Sequence, residues 1–138
     1  MMRRAQAAPT GRLVVVIDDD PLVLEGMSGL LRSWGYQVVV AATEEAALGR
    51  LTENDQRPDL IICDYRLSGG ESGLDVIERL REVFDVPALL ITGDAALDRR
   101  DAARASRYPL LHKPIDAMAL RAMIRQMLNN KDISEADE

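Results

Sequence analysis

Four apolar runs in this 138-residue chain end in polar or ionisable groups, several of which can hold a cation. Asp18, Asp19 and Asp20 follow the run Leu13 to Ile17, and Asp64 follows Leu60 to Cys63. Thr92, Gly93 and Asp94 follow Val86 to Ile91, and His112, Lys113 and Pro114 follow Pro109 to Leu111. Taken singly, each has a plain structural explanation: aspartate before a helix is an ordinary N-cap, and Lys-Pro is an ordinary turn. Three adjacent aspartates exceed what a cap requires. Like charges about 4 Å apart repel by roughly 4 kcal/mol at an effective dielectric of about 20. Folding such a cluster beside Asp64 makes sense where a cation neutralises it. The donors are all oxygens, which points to Mg²⁺ or Mn²⁺ rather than zinc or copper.

The elements that must bring these groups together alternate along the chain. Leu13 to Ile17 is a continuous β-branched run of the kind buried on both faces of a parallel sheet. Similar runs span Tyr36 to Val40, Leu60 to Cys63 and Val86 to Ile91, with a weaker one at Pro109 to Leu111. Between them lie helical stripes. Val23, Met27, Leu30, Leu31 and Trp34 share one helical face, with Pro21 in the first turn and Gly35 past the end. Thr43 can cap a helix running to about Glu53. Leu74, Ile77, Leu80 and Phe84 mark a third helix. Ala95 to Ser106 carries a weak apolar stripe for a fourth, and Leu120, Met123, Ile124, Met127 and Leu128 mark the last, capped by Asp116. The alternation predicts an α/β fold with a five-stranded parallel sheet and helices on both faces. In such a sheet ligands bind outside the carboxyl ends of the strands, and that edge is where four of the five strand ends carry polar groups.

Length and composition fit one domain. The expected organisation is an N-terminal tail over 1–11, a domain over 12–129 and an acidic tail over 130–138. Seventeen basic against 23 acidic residues give a net charge of −6, which argues against a nucleic-acid surface. Met1 to Gly11 lacks the apolar run of a signal peptide, and no stretch approaches the roughly 20 residues needed to span a membrane. Cys63 is the single cysteine, so a reducing, cytoplasmic setting is expected. Its place inside a strand marks it as core, and strand alternation sends it away from the side on which Asp64 points. His112 has no His or Cys nearby, which makes a zinc role improbable.

The combination resembles the receiver domain of two-component response regulators, from about Leu13 to Leu128. The residues that carry the resemblance are Asp18-Asp19, Asp64, Thr92-Gly93 and Lys113-Pro114, each after its strand. Asp64-Tyr65-Arg66-Leu67 through Ser72-Gly73-Leu74-Asp75, and Pro109 to Pro114, look especially like receivers of hybrid sensor histidine kinases. The resemblance implies a doubly wound, flavodoxin-like (CheY-like) sheet of order 2-1-3-4-5 with five helices. It implies that Asp64 takes a phosphoryl group from a phosphohistidine on a sensor histidine kinase or a histidine phosphotransfer protein. Mg²⁺, with Mn²⁺ as a substitute, would be held by Asp19, Asp64 and the backbone carbonyl of Tyr65, with Asp18 acting through water or as a further ligand. Lys113 would pair with Asp64 at rest and with a phosphoryl oxygen afterwards, Thr92 would donate its hydroxyl, and Gly93 would leave room. Lys113-Pro114 resembles the family's cis peptide.

Two features depart from that pattern. The switch position three residues before the lysine, aromatic in many receivers, is Leu110, and Tyr108 lies two residues too early to replace it. The loop from Leu67 to Ser72 lacks the usual proline and, with Gly69 and Gly70, reads as longer and more mobile. Arg66 and Asp94, two beyond Asp64 and Thr92, flank the phosphoryl position in the family and are expected to modulate access of water by pairing across the pocket.

The chain is expected to be no enzyme beyond its own phosphorylation and dephosphorylation. Its output would be contact with a downstream protein or onward transfer in a phosphorelay, with a homodimer through the fourth helix, fifth strand and fifth helix as one form. Two rivals remain at this point. One is a receiver-like binding module that works unphosphorylated. The other is a phosphatase of the haloacid-dehalogenase type, in which Asp18 and Asp20 would act as a pair, though Asp64 would then have no role.

Overall fold

The β-branched and leucine-rich runs form five strands: β1 (Leu13–Ile17), β2 (Gln37–Ala41), β3 (Leu60–Asp64), β4 (Ala88–Thr92) and β5 (Leu110–His112). The computed structural model describes residues 11–93, 97 and 99–136. The strands make one parallel sheet in the order β2-β1-β3-β4-β5, as the resemblance implied. Helices α1 (Pro21–Ser33), α2 (Glu44–Glu53), α3 (Gly73–Val83), α4 (Arg99–Ala105) and α5 (Ala117–Ala136) connect and follow them.

The period-two alternation of a strand divides the interior into two layers. Leu13, Val15 and Ile17 of β1, with Ile61, Cys63, Ala88 and Leu90, pack under α2, α3 and α4 against Leu51, Leu74, Ile77, Leu80 and Ala105. Val14 and Val16, with Leu60, Ile62, Leu89 and Ile91, pack under α1 and α5 against Met27, Leu31, Leu120 and Ile124. β1, β3 and β4 are buried along their whole length. Cys63 therefore belongs to the α2–α3 layer, and burial first, then the charges of Asp64 and Asp18, push its thiol pKa far up. That makes it an inert core residue.

The helix starts follow from local chemistry. Asp20 accepts from the Leu22 amide at 2.9 Å, Thr43 from Ala46 at 3.0 Å, Ser72 from Leu74 at 3.1 Å and Asp116 from Met118 at 3.0 Å. Past the end of α1, Gly35 takes a φ of +94°, the left-handed turn that a side chain disfavours.

Some boundaries differ from expectation. β4 begins at Ala88 rather than Val86, because Pro87 has no amide to add to the ladder. β2 starts one residue later than predicted, leaving Tyr36 buried ahead of it. α4 is described from Arg99, and the expected start at Ala95 lies outside the described residues, as do 1–10 of the N-terminal tail. α5 continues through 130–136, within the stretch expected as an acidic tail, where no Gly or Pro stops a helix. The loop from Leu67 to Ser72, expected to be long and mobile, contains a 3-10 turn, Ser68–Gly70, closed by an antiparallel bridge between Arg66 and Ser72.

Candidate functional site: an acidic pocket at the carboxyl edge of the sheet

The three adjacent aspartates are separated by the turn that carries them. The Asp18 amide extends the β1–β2 ladder by donating to Ala41 at 3.1 Å, which turns the Asp18 side chain inward to 3 % exposure. Its Oδ1 accepts from the Asp20 amide at 2.9 Å. Asp20 is exposed and caps α1. Asp19 is exposed and turned towards Ser68, whose hydroxyl donates to its Oδ2 at 2.8 Å.

Asp64 ends β3, and its backbone is fixed by pairing with Ile91. Its carboxylate meets those of Asp18 and Asp19, with one oxygen from each lying within 4.8 Å of the others. Lys113 closes the group, its Nζ 3.2 Å from Asp18 Oδ2 and 3.4 Å from Asp64 Oδ2. The lysine backbone is held by its amide donating to the Thr92 carbonyl at 2.8 Å and by a cis Lys113-Pro114 peptide. Thr92 is buried at the end of β4, one strand over from Asp64. A methyl group at Gly93 would press within 3.4 Å of the Lys113 side chain. The expected convergence of Asp18, Asp19, Asp64, Thr92, Gly93 and Lys113 at one sheet edge is thus observed.

One lysine does not neutralise the aspartates. Burial first, then the charge of Asp18, raise the pKa of Asp64 against the opposing pull of Lys113. For Lys113 burial acts to lower the pKa, but its hydrogen bond to Asp18 and the charges of Asp18 and Asp64 raise it overall. The pocket stays electronegative, and its all-oxygen donor set fits a hard divalent cation.

The remaining residues are placed less simply. The Tyr65 carbonyl accepts the Gly73 amide at 2.6 Å, so one of its lone pairs is engaged by the start of α3. Gly73 is there because nothing larger fits: a Cβ would lie 2.0 Å from the Asp64 carbonyl oxygen. The Arg66 guanidinium lies 5.7 Å from the centre of the Tyr65 ring. Its expected partner Asp94 is outside the described residues. Leu110 is half-buried and packs with Tyr108 against the α2–α3 layer.

Two features had little signal in the sequence. One is the Ser68–Asp19 contact, between residues 49 positions apart. The other is a set of bonds around α4. The Tyr65 hydroxyl donates to Asp101, and Arg104 pairs with Asp101 at 3.2 Å, Asp75 at 2.6 Å and Glu78 at 2.7 Å. Only the Asp101–Arg104 spacing, three apart on a helix, could have been read in advance.

A doubly wound sheet of this order with a carboxylate cluster at its switch point defines a class, the receivers. Comparison with known proteins agrees. The family model of the response regulator receiver domain matches residues 14–125, and the chain belongs to that family. It is 30% identical over 127 residues to the phyllosphere-induced regulator PhyR of Methylorubrum extorquens, covering 91% of this chain and 46% of that protein. It is 33% identical over 138 residues to the probable transcriptional regulatory protein TcrX of Mycobacterium tuberculosis, covering 99% and 57%. The chain therefore spans about half the length of these curated relatives. Among solved structures, a response regulator receiver domain from Clostridium thermocellum matches with a TM-score of 0.76 at 27% identity, covering 88% of this chain and 98% of that one. The anti-anti-sigma factor PhyR from Bartonella quintana matches at 0.75 and 26% identity, over 97% and 52%. No helix among the described residues is long and apolar enough to cross a membrane.

Proposed function

We propose that the chain is the phosphoacceptor receiver of a two-component phosphorelay, with Asp64 as the acceptor. The observation that carries the reading is the meeting of Asp64 with Asp18, Asp19 and Lys113 at the carboxyl edge, with Thr92 beside it. An Asp64 carboxylate oxygen attacks the phosphorus of a phosphohistidine. The P–N bond breaks, its electron pair stays with the departing imidazole, and an aspartyl phosphate remains. Burial and the charge of Asp18 raise the Asp64 pKa, and a bound cation would oppose that shift by favouring the ionised nucleophile.

Asp19 and Asp64 are the residues that would hold Mg²⁺ or Mn²⁺, with Asp18 close enough to join them or to act through water. When bound, the cation supplies positive charge to the phosphoryl oxygens as negative charge builds on them. The Tyr65 carbonyl can take part only through the lone pair that the Gly73 amide leaves. Lys113 exchanges its Asp64 contact for a phosphoryl oxygen, and the Thr92 hydroxyl donates to another. Arg66 and Asp94 remain the groups proposed to modulate the lifetime of the product.

The donor is a sensor histidine kinase or a histidine phosphotransfer protein, encountered in the cytoplasm. The output is a contact with a downstream protein or a second copy through α4, β5 and α5, biased by the new bonds of Thr92 and Lys113. Likeness to a protein described as an anti-anti-sigma factor supports protein contact as that output. Leu110, where an aromatic switch would stand, favours a second reading in which binding does not depend on phosphorylation. Intact-mass spectrometry after incubation with acetyl phosphate and Mg²⁺ separates the two. The receiver reading expects one phosphoryl adduct, lost in Asp64→Asn and without metal. No adduct under any condition would leave the unphosphorylated module.

A further inference from the structure

The carboxylates of the pocket are not equally restrained. Asp18 is buried and fixed by the Asp20 amide and by Lys113, and Asp64 is buried against Lys113. Asp19 is exposed, and among the described residues its one side-chain partner is the Ser68 hydroxyl at 2.8 Å. An exposed aspartate on a turn samples several rotamers, and a ligand that must be ordered on binding loses affinity by that entropy. A donor that already holds the carboxylate in place removes part of the loss.

Ser68 is itself held for this task. It opens the 3-10 turn whose following residues, Gly69 and Gly70, take φ values of +78° and +76°. The base of the turn is tied by the Leu67 amide donating to Glu71 at 3.1 Å and by the Arg66–Ser72 bridge. Ser72 in turn caps α3, so the turn is anchored to a regular element. Two left-handed residues in succession let the chain turn tightly after Ser68, whose hydroxyl meets Asp19. The hydroxyl occupies one lone pair of Oδ2, leaving the remaining lone pairs of the carboxylate for a cation.

We infer that Ser68 is a positioning residue for the cation site, acting through Asp19 by holding its carboxylate towards Asp64. The inference rests on the receiver reading, since it concerns the cation proposed there. Outer-sphere partners of metal ligands typically contribute about ten- to hundredfold in affinity. This one is solvent-exposed, so about three- to tenfold is expected.

The test is Mn²⁺ affinity of the full chain, measured by the loss of the free-ion signal in electron paramagnetic resonance. Ser68→Ala is expected to weaken binding about three- to tenfold, Ser68→Thr to restore it, and neither to change the metal-free unfolding midpoint. In an Asp19→Ala background Ser68→Ala is expected to have no further effect, which separates action through Asp19 from a general loosening of the turn. Wild-type binding with equal or tighter binding by Ser68→Ala would overturn the positioning role and leave the receiver reading standing. A wild-type chain that binds no Mn²⁺ would overturn both.

Discussion

The hydroxyl of Tyr65, the residue that follows Asp64, donates a hydrogen bond to the carboxylate of Asp101 on α4. α4 has seven residues and buries one of them, Ala105, so little apolar packing holds it to the sheet. Among the described residues, the side chains of Tyr65, Asp101 and Arg104 add polar contacts. Tyr65→Phe keeps the ring and removes the bond, and is expected to cost about 1 kcal/mol. Hydrogen exchange over 99–105 should rise while that of β1 and β3 is unchanged. Unaltered exchange in α4 would mean that the bond does not secure it.

Arg104 joins α4 to α3 through Asp75 and Glu78, at sites a quarter to a half exposed. Such pairs are worth little one by one and more as a network. Arg104→Ala is expected to lower stability by about 1 kcal/mol in low salt and by less in 1 M salt, where screening is near 3 Å. Urea titrations at the two salt concentrations check this. An equal loss at both would assign the effect to the packing of the arginine stem instead.

Gly73 is a backbone requirement. Its missing side chain lets α3 begin against the Asp64 carbonyl, where a Cβ would stand 2.0 Å from oxygen. The obstacle is main chain, so it cannot swing aside as a side chain could. Gly73→Ala is expected to destabilise by about 3 kcal/mol, at the upper end for overpacking. It should also slow phosphorylation by displacing Asp64. Equilibrium unfolding measures the first effect and adduct formation the second.

How much of this was legible beforehand follows from the kind of signal each part leaves. The strands and the two-layer core were readable because Leu13 to Ile17 and Leu60 to Cys63 are buried on both faces and so show as continuous apolar runs. The pocket was readable because Asp18, Asp64, Thr92 and Lys113 each sit at or just past the end of a strand, and a parallel sheet puts every such end on one edge. The Ser68–Asp19 and Tyr65–Asp101 contacts were not, since each depends on where a turn or a short helix lands in space. Asp18 and Asp19 could be told apart beforehand only through the family resemblance, and the backbone shows Asp18 facing inward, Asp19 outward and Asp20 at a helix start. α5 ran past its expected end because charged residues after Asn130 read as solvated tail, although nothing in that stretch breaks a helix.

The Asp64 pKa predicts how the pocket responds to pH and metal. Its folded value lies above the unfolded one, so its favourable contribution to stability is complete below the unfolded pKa of about 3.9. That contribution is lost as pH rises through the folded value. At neutral pH without metal the ionised group is a net cost, and Asp64→Asn should raise the melting temperature. Lys113 has the opposite consequence at neutral pH. Its raised pKa keeps its contribution in full below an unfolded value of about 10.4, and the contribution is lost only as pH rises through the folded value. Lys113→Ala should therefore destabilise, by about 1–2 kcal/mol given its partial exposure. Mg²⁺ at a hundred times its dissociation constant should add about 2.7 kcal/mol to the wild type and much less to Asp64→Asn. Scanning calorimetry of the variants with and without Mg²⁺ decides these points, and a lower melting temperature for metal-free Asp64→Asn would contradict the electrostatic account.

The most direct test of the central claim locates the phosphoryl group chemically. An aspartyl phosphate is an acyl phosphate, and borohydride reduces it to homoserine while leaving free carboxylates intact. After treatment with acetyl phosphate and Mg²⁺, reduction and digestion, mass mapping is expected to find homoserine at position 64 and nowhere else. Homoserine at position 18 or 20, or a phosphoryl group that survives reduction on a hydroxyl, would contradict Asp64 as the acceptor.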